Sequence, residues 1–261
     1  MTELNHAGEL LSVNGLSKSF GGLQAVNDVS FSVLPGTIKA LIGPNGAGKT
    51  TLFNLISGVM PPDDGEITFC GEAVQGLKPH RIAHKGMART FQHIRLFPKM
   101  SVLENVMIGR HVHSRSGFVA GMLNLPFTWK EEKSIREKSL EFIEFLGISE
   151  FTHVEATSLA YGQQRIVEIC RALACEPKLL LLDEPAAGLN MSETEEMASL
   201  ITRIRDTGIT VLIVEHDMSL VMNISDEIIV LSYGQKIADG TPLDIQQNSE
   251  VIRVYLGDDD A

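Results

Sequence analysis

The chain has 261 residues, with 22 Lys plus Arg against 33 Asp plus Glu, for a net charge of -11. Hydrophobic residues make up 44% and charged ones 21%, a globular balance that excludes wholesale disorder, collagen and coiled coil. The acidic surplus argues against nucleic acid as a partner held by the overall field, and three cysteines without a C-x-x-C pair argue against a disulfide framework or a cysteine zinc site and fit a reducing compartment.

Residues 1–15 carry no basic patch followed by an apolar stretch, so no secretory signal is expected. No window approaches the roughly 18 apolar residues needed to cross a bilayer. The opening reads as β: Val29, Phe31 and Val33 alternate with Ser30 and Ser32 until Pro35-Gly36. Ile38 to Ile42 is a short apolar strand. A helix follows with Leu52, Leu55, Ile56 and Val59 on one face, then the turn Pro61-Pro62-Asp63-Asp64-Gly65 and a strand from Glu66 to Cys70.

Residues 93–175 read as a helical insertion. Ser101 with Glu104 forms a capping box. Lys130 to Leu146 is an amphipathic helix with Ile135, Phe142, Ile143 and Leu146 as its stripe, stopped by Gly147. Gln163 to Ala174 is a further helix. Ser116 to Trp129 is expected to be a loop packed on this segment. Beyond it, Leu179 to Leu182, Ile209 to Val214 and Glu227 to Leu231 are apolar strands. Ser192 with Glu195 is expected to cap a helix carrying Met197, Leu200, Ile201 and Ile204. Buried strands alternating with helices imply an α/β fold with a parallel sheet covered on both faces. The tail, Asp258 to Asp260, reads as a solvated acidic end, and His80 with His84 as solvated histidines.

Gly43-Pro44-Asn45-Gly46-Ala47-Gly48-Lys49-Thr50 fits G-x-x-x-x-G-K-[ST] in full, after a strand and before a helix. Successive N–H groups of such a loop point inward as a nest for phosphate, and the helix adds its positive N-terminus. Lys49 brings a point charge for the β- and γ-phosphates, and Thr50 a hydroxyl for Mg²⁺. Thr51 completes the candidate nucleotide-binding set. This loop alone does not separate a kinase, a GTPase and a transport ATPase. Leu179 to Glu184 is an apolar strand ending in two acids, delivered to the sheet edge where open α/β folds bind ligands. Asp183 is expected to hold Mg²⁺ and Glu184 to polarise the attacking water.

Ser158-Leu159-Ala160-Tyr161-Gly162-Gln163-Gln164-Arg165 leads into a helix. With these residues the chain resembles the ATP-binding cassette family, whose signature reads L-S-G-G-Q, over nearly its whole length and in the family's order. The resemblance implies ATP and Mg²⁺ as ligands. It implies that Gln92, in Arg89-Thr90-Phe91-Gln92, is the glutamine loop and a metal contact. Pro185 to Asn190 matches the loop after the second acidic motif. His216 matches the switch histidine, and Phe20 takes the place of the aromatic that stacks on adenine. Ala160 and Tyr161 depart from the signature, so one hydroxyl toward the γ-phosphate is lost while the Gly162 N–H and the helix N-terminus remain.

The implied fold is a P-loop core with an N-terminal antiparallel β subdomain and an inserted helical subdomain. It is one nucleotide-binding domain over 1–261, with its core at 1–92 and 176–261 and the helical part at 93–175. Two cassettes of this family pair head to tail, so Leu159, Ala160, Tyr161, Gly162 and Gln163 are expected to act in trans on a second, identical or similar cassette. The length implies a separate subunit, peripheral on the cytoplasmic face of the inner membrane, docked to permease subunits and served indirectly by a solute-binding protein. Ala88 to Phe97, Met100 to Val106, Ala160 to Arg165, Pro185 to Asn190 and Glu215 to Met218 resemble the ATPases of branched-chain amino acid importers. Urea- or amide-type importers share most of this wording, and Arg253 to Gly257 resembles the tail of lipopolysaccharide-export ATPases. A soluble cassette protein normally carries two cassettes or a long coiled coil. A small-molecule kinase is disfavoured by the signature and the switch histidine.

Overall fold

The computed structural model describes residues 8–113 and 126–256. In chain order its strands are β1 (Leu11–Phe20), β2 (Leu23–Val33), β3 (Ile38–Ile42), β4 (Asp64–Phe69), β5 (Glu72–Ala73), β6 (Met87–Arg89), β7 (Leu179–Asp183), β8 (Thr210–Val214), β9 (Glu227–Ser232) and β10 (Gln235–Gly240). Its helices are α1 (Lys49–Ile56), α2 (Pro79–His84), α3 (Val102–Arg110), α4 (Pro126–Phe145), α5 (Tyr161–Leu173), α6 (Met191–Asp206), α7 (Met218–Ile224), α8 (Pro242–Gln247) and α9 (Ser249–Leu256). The chain divides into two compact units, Met1–Ile82 with Leu181–Ala261, and Ala83–Leu180.

The first unit contains two sheets. The antiparallel one has the order β2-β1-β4-β5. Leu11, Val13 and Leu16 of β1 are buried against Val29, Phe31 and Val33 of β2 and Ile67 and Phe69 of β4. The other sheet has the order β10-β9-β3-β8-β7. β3 runs parallel to both β8 and β9, with Leu41 opposite Val214 and Ile229. Every residue of β3, β7 and β8 is buried, as strands covered on both faces require.

Two local expectations are corrected here. α6 is capped by Asn190 rather than Ser192. The Asn190 side-chain oxygen accepts from the Glu193 N–H (3.0 Å), and the Glu193 carboxylate accepts from the Asn190 N–H (2.9 Å). Asn190 is the residue with extended backbone, φ -80° and ψ 174°, which an N-cap needs, so Ser192 falls inside the first turn. Val59 is the second correction. α1 ends at Ile56, Gly58 turns at φ +70°, and Val59 is 51% exposed rather than part of the buried stripe. Gly58 is required there because a Cβ would collide with the Leu77 carbonyl.

In the second unit the box at α3 forms as expected: the Glu104 N–H donates to the Ser101 hydroxyl and the Ser101 N–H to the Glu104 carboxylate. α3 crosses α5 closely, since a Cβ on Gly109 would strike the Arg171 carbonyl. Ile143 of α4, with Leu146 and Ile148 just beyond it, is buried, as are Val102, Leu103, Val106, Val167 and Ile169. Among the described residues 93–175 contain no strand beyond the bridge Ser101–Glu155. The expected loop at Ser116–Trp129 lies outside the described residues up to 125, and from Pro126 the backbone is already helical. The Asp258–Asp260 tail also lies outside them.

Candidate active site

The first unit builds a phosphate cradle at the end of β3. Gly43, Gly46 and Gly48 have φ of 150°, 80° and 102°, conformations that L side chains avoid and that let neighbouring N–H groups face one anion. Packing also demands glycine at two of them: a Cβ on Gly43 would hit the Leu231 carbonyl, and one on Gly48 the Ala25 carbonyl. A Cβ on Gly46 would meet nothing within 4 Å, so this turn of the loop stands clear of other protein. The Gly234 N–H donates to the Ala47 carbonyl (3.0 Å), and the Asn27 N–H to the Gly234 carbonyl (2.8 Å). The β9–β10 turn and β2 therefore brace the loop. From α9, Tyr255 hydrogen-bonds the Gly43 backbone, and burial pushes its phenol up to about 12.

Lys49 opens α1 and is nearly buried. Its ammonium donates to the carbonyls of Gly43 (2.7 Å) and Pro44 (3.1 Å). Burial holds it below the usual lysine value, and the Glu184 carboxylate partly restores it. An ammonium has three donors, so one remains for phosphate while two anchor it to the loop. Thr50 is exposed beside it, and Asp183 ends β7 buried. A hydroxyl and a carboxylate are the hard oxygen donors that suit Mg²⁺, so the chemistry of these two residues fits the metal.

Glu184 is held at φ +50°, a left-handed conformation that costs a non-glycine residue about 1–2 kcal/mol. Its N–H donates to the Val214 carbonyl (2.9 Å) and its carbonyl accepts from the Ala187 N–H (3.1 Å). Such imposed strain clusters at working residues. His216 follows β8 with its ring 63% exposed. Between them lies Glu215, a residue to which sequence reasoning assigned no role. It is 0% exposed, yet its carboxylate accepts from the Ala186 N–H (2.8 Å) and the His216 N–H (3.1 Å). One buried side chain thus ties the loop after Glu184 to the loop carrying His216. Burial raises its pKa, and the N–H donors of Ala186, His216 and Asp217 oppose that rise. Phe20, at the tip of β1, is 48% exposed, with the Lys18 ammonium 6.0 Å from its ring centre.

Gln92 and the signature belong to the second unit. Gln92 is exposed in the loop after β6. Ala160 is the N-cap of α5 with no side-chain acceptor, and its own N–H donates to the Gln163 side-chain oxygen (3.1 Å). The first N–H groups of α5 are therefore not capped by a side chain, and they are the ones that can meet an anion. Gly162 lies in the first turn of the helix with no positive φ, so the backbone conformation does not account for glycine there.

Comparison with known proteins agrees with this geometry. Residues 26–187 match the family model described as ABC transporter, and residues 235–261 match that of the branched-chain amino acid ATP-binding cassette transporter. The chain is 46% identical over 250 residues to the high-affinity branched-chain amino acid transport ATP-binding protein BraF of Pseudomonas aeruginosa, covering 95% of this chain and 98% of that protein. It is 45% identical, with the same coverage, to LivG of Escherichia coli K12, which has the same description. The crystal structure of a nucleotide-free ATP-binding cassette from an ABC transporter superposes with a TM-score of 0.83 at 33% identity, covering 95% of this chain and 99% of that one. Cradle, paired acids and full-length similarity agree, and the chain belongs to the ATP-binding cassette family of transporter ATPases.

Proposed function

We propose that this chain is the ATP-hydrolysing subunit that powers uptake of branched-chain amino acids through a membrane permease, working from the cytoplasmic face. The observation that carries the substrate class is the match at residues 235–261 to the branched-chain amino acid cassette model, a segment beyond the shared ATPase match. Among the described residues no helix is long and apolar enough to cross a membrane.

The glycine loop binds the triphosphate through backbone N–H groups, and Lys49 supplies its remaining donor to the β- and γ-oxygens. Phe20 stacks on the base. Asp183 and Thr50 would hold Mg²⁺, with Gln92 as the further contact that the resemblance implies, and the ion would neutralise charge on the β- and γ-phosphates. Glu184 accepts the proton of the attacking water, and His216 reaches the γ-phosphate. Residues 159–163 close the site of a second cassette through the N-terminus of α5, so hydrolysis requires two cassettes.

Glu184→Gln tests this directly. The amide keeps the shape and cannot take a proton, and loss of a general base costs about 10²–10⁴-fold. The variant should bind ATP, turn it over at that reduced rate, and elute from size exclusion as a pair with itself or with a sister cassette when ATP is present. Normal turnover would remove Glu184 from the chemistry. Uptake of labelled leucine, isoleucine and valine by cells carrying the permease tests the substrate class; uptake indifferent to Glu184→Gln would reject it.

A further inference from the structure

The loop from Thr90 to Met100 follows β6 and forms no strand or helix, so its backbone must be held by side chains. One face of α5 does much of this, through three residues spaced three apart. Arg165 is 2% exposed. Its guanidinium donates to the carbonyls of Phe91 (3.0 Å) and Gln92 (2.6 Å) and to the hydroxyl of Tyr161 (3.0 Å). The same guanidinium lies 5.4 Å from the Tyr161 ring centre. Glu168, also 2% exposed, accepts from the Arg95 N–H (3.3 Å) and lies 3.5 Å from Arg165. Arg171 donates to the Arg95 carbonyl, and its guanidinium lies 5.7 Å from the Phe97 ring centre.

Arg165 is a poor choice for stability alone. Its Nε is buried without a hydrogen-bond partner, and a buried ionic cluster is often no more stable than an apolar replacement of similar volume. What the guanidinium provides is direction: its fork reaches two successive carbonyls of the glutamine loop and the first residue of the signature helix at once. The tyrosine that departs from the family's signature supplies the acceptor at that end, which glycine could not.

We propose that Arg165 and Tyr161 are positioning residues that couple the glutamine loop to the signature helix. Gln92, which senses this chain's own nucleotide, and the α5 N-terminus, which serves the partner's nucleotide, then shift as one body. The proposal rests on the functional reading above, which assigns Gln92 and residues 159–163 those roles. It adds the residues through which this chain makes that link.

Amide hydrogen exchange on the nucleotide-free protein tests the contact without any ligand. Tyr161→Phe keeps the ring and removes only the hydroxyl at a half-exposed position, so the fold should persist. Arg165→Lys keeps the charge but replaces the planar fork with a single point that cannot span both carbonyls and the hydroxyl. Exchange in residues 91–95 should quicken several-fold in the first variant and more in the second. Hydrogen bonds to charged groups are strong enough that turnover should fall about tenfold or more in Arg165→Lys. ATP affinity should hold in both, since the phosphate loop and Phe20 lie in the other unit. Because both changes cut one link, the double variant should turn over no slower than Arg165→Lys alone. Unchanged exchange in both variants overturns the contact. Faster exchange with full turnover reduces it to a brace and overturns the coupling, as do effects that multiply in the double variant. Failure of the underlying reading has its own mark: Gly162→Asp would turn over normally, and the coupling would fall with it.

Discussion

Replacing Glu215 with glutamine probes how the loops carrying Glu184 and His216 are aligned. The wild-type carboxylate is fully buried and accepts the N–H groups of Ala186 and His216, one on each oxygen. Glutamine keeps the volume and one acceptor, but its NH₂ must face the other N–H. Leaving one buried donor unmet costs about 1–3 kcal/mol. If that cost falls on alignment in the transition state, kcat drops by roughly 5- to 150-fold at 1.4 kcal/mol per decade. The phosphate loop is untouched, so KM for ATP and the affinity of a non-hydrolysable analogue should stay within about twofold. A second readout is pH. Burial raises the folded pKa of Glu215, so the native state keeps the proton where the unfolded chain has lost it, and wild-type stability falls as pH rises through that folded value. Glu215→Gln lacks this titration. Its stability relative to wild type should therefore improve as pH rises from about 4.5. Steady-state kinetics and chemical denaturation at several pH values measure both. Unchanged kcat would refute the role in alignment, and a relative stability that worsens with rising pH would refute the electrostatic argument.

Lys49→Ala removes the one side-chain cation anchored in the phosphate loop by Gly43 and Pro44. ATP binding by calorimetry should nearly vanish, and undiminished hydrolysis would refute the cradle. Gly162→Asp places bulk and like charge where the partner's phosphate should sit. An acidic residue in the first turn suits the helix dipole, so the variant should fold and bind ATP while turnover is lost; retained turnover would remove this loop from the active site. Ala160→Ser supplies the absent cap acceptor. It should raise stability by about 1 kcal/mol and change turnover by no more than one neutral hydrogen bond allows, about 0.5–1.5 kcal/mol; a loss of turnover well beyond that would mean that this position tolerates no hydroxyl beside the anion.

Much of this protein is written locally. The phosphate loop, the acids ending β7 and the box at Ser101 are specified by residues within a few positions of each other, because a nest, a strand end and an N-cap are short-range structures. The continuous apolar runs of β3, β7 and β8 announce strands buried on both faces. Where the deciding partner is distant, sequence is silent or misleading. β10 is largely polar with no buried residue, and it pairs with β9. Asn190 and Ser192 are both competent caps, and the path of the chain out of β7 selects the first. Glu184 is named by its place after the strand, but its left-handed backbone and its hydrogen bond to Val214 on another strand carry no local signal. Glu215 and Arg165 stand beside recognisable motifs and carry no signal of their own. Their roles arise because folding closes the sequence separation of 29 from Ala186 to Glu215, and of 73 from Gln92 to Arg165, to hydrogen-bonding distance, and only tertiary packing can make a buried charge the shared ligand of two loops.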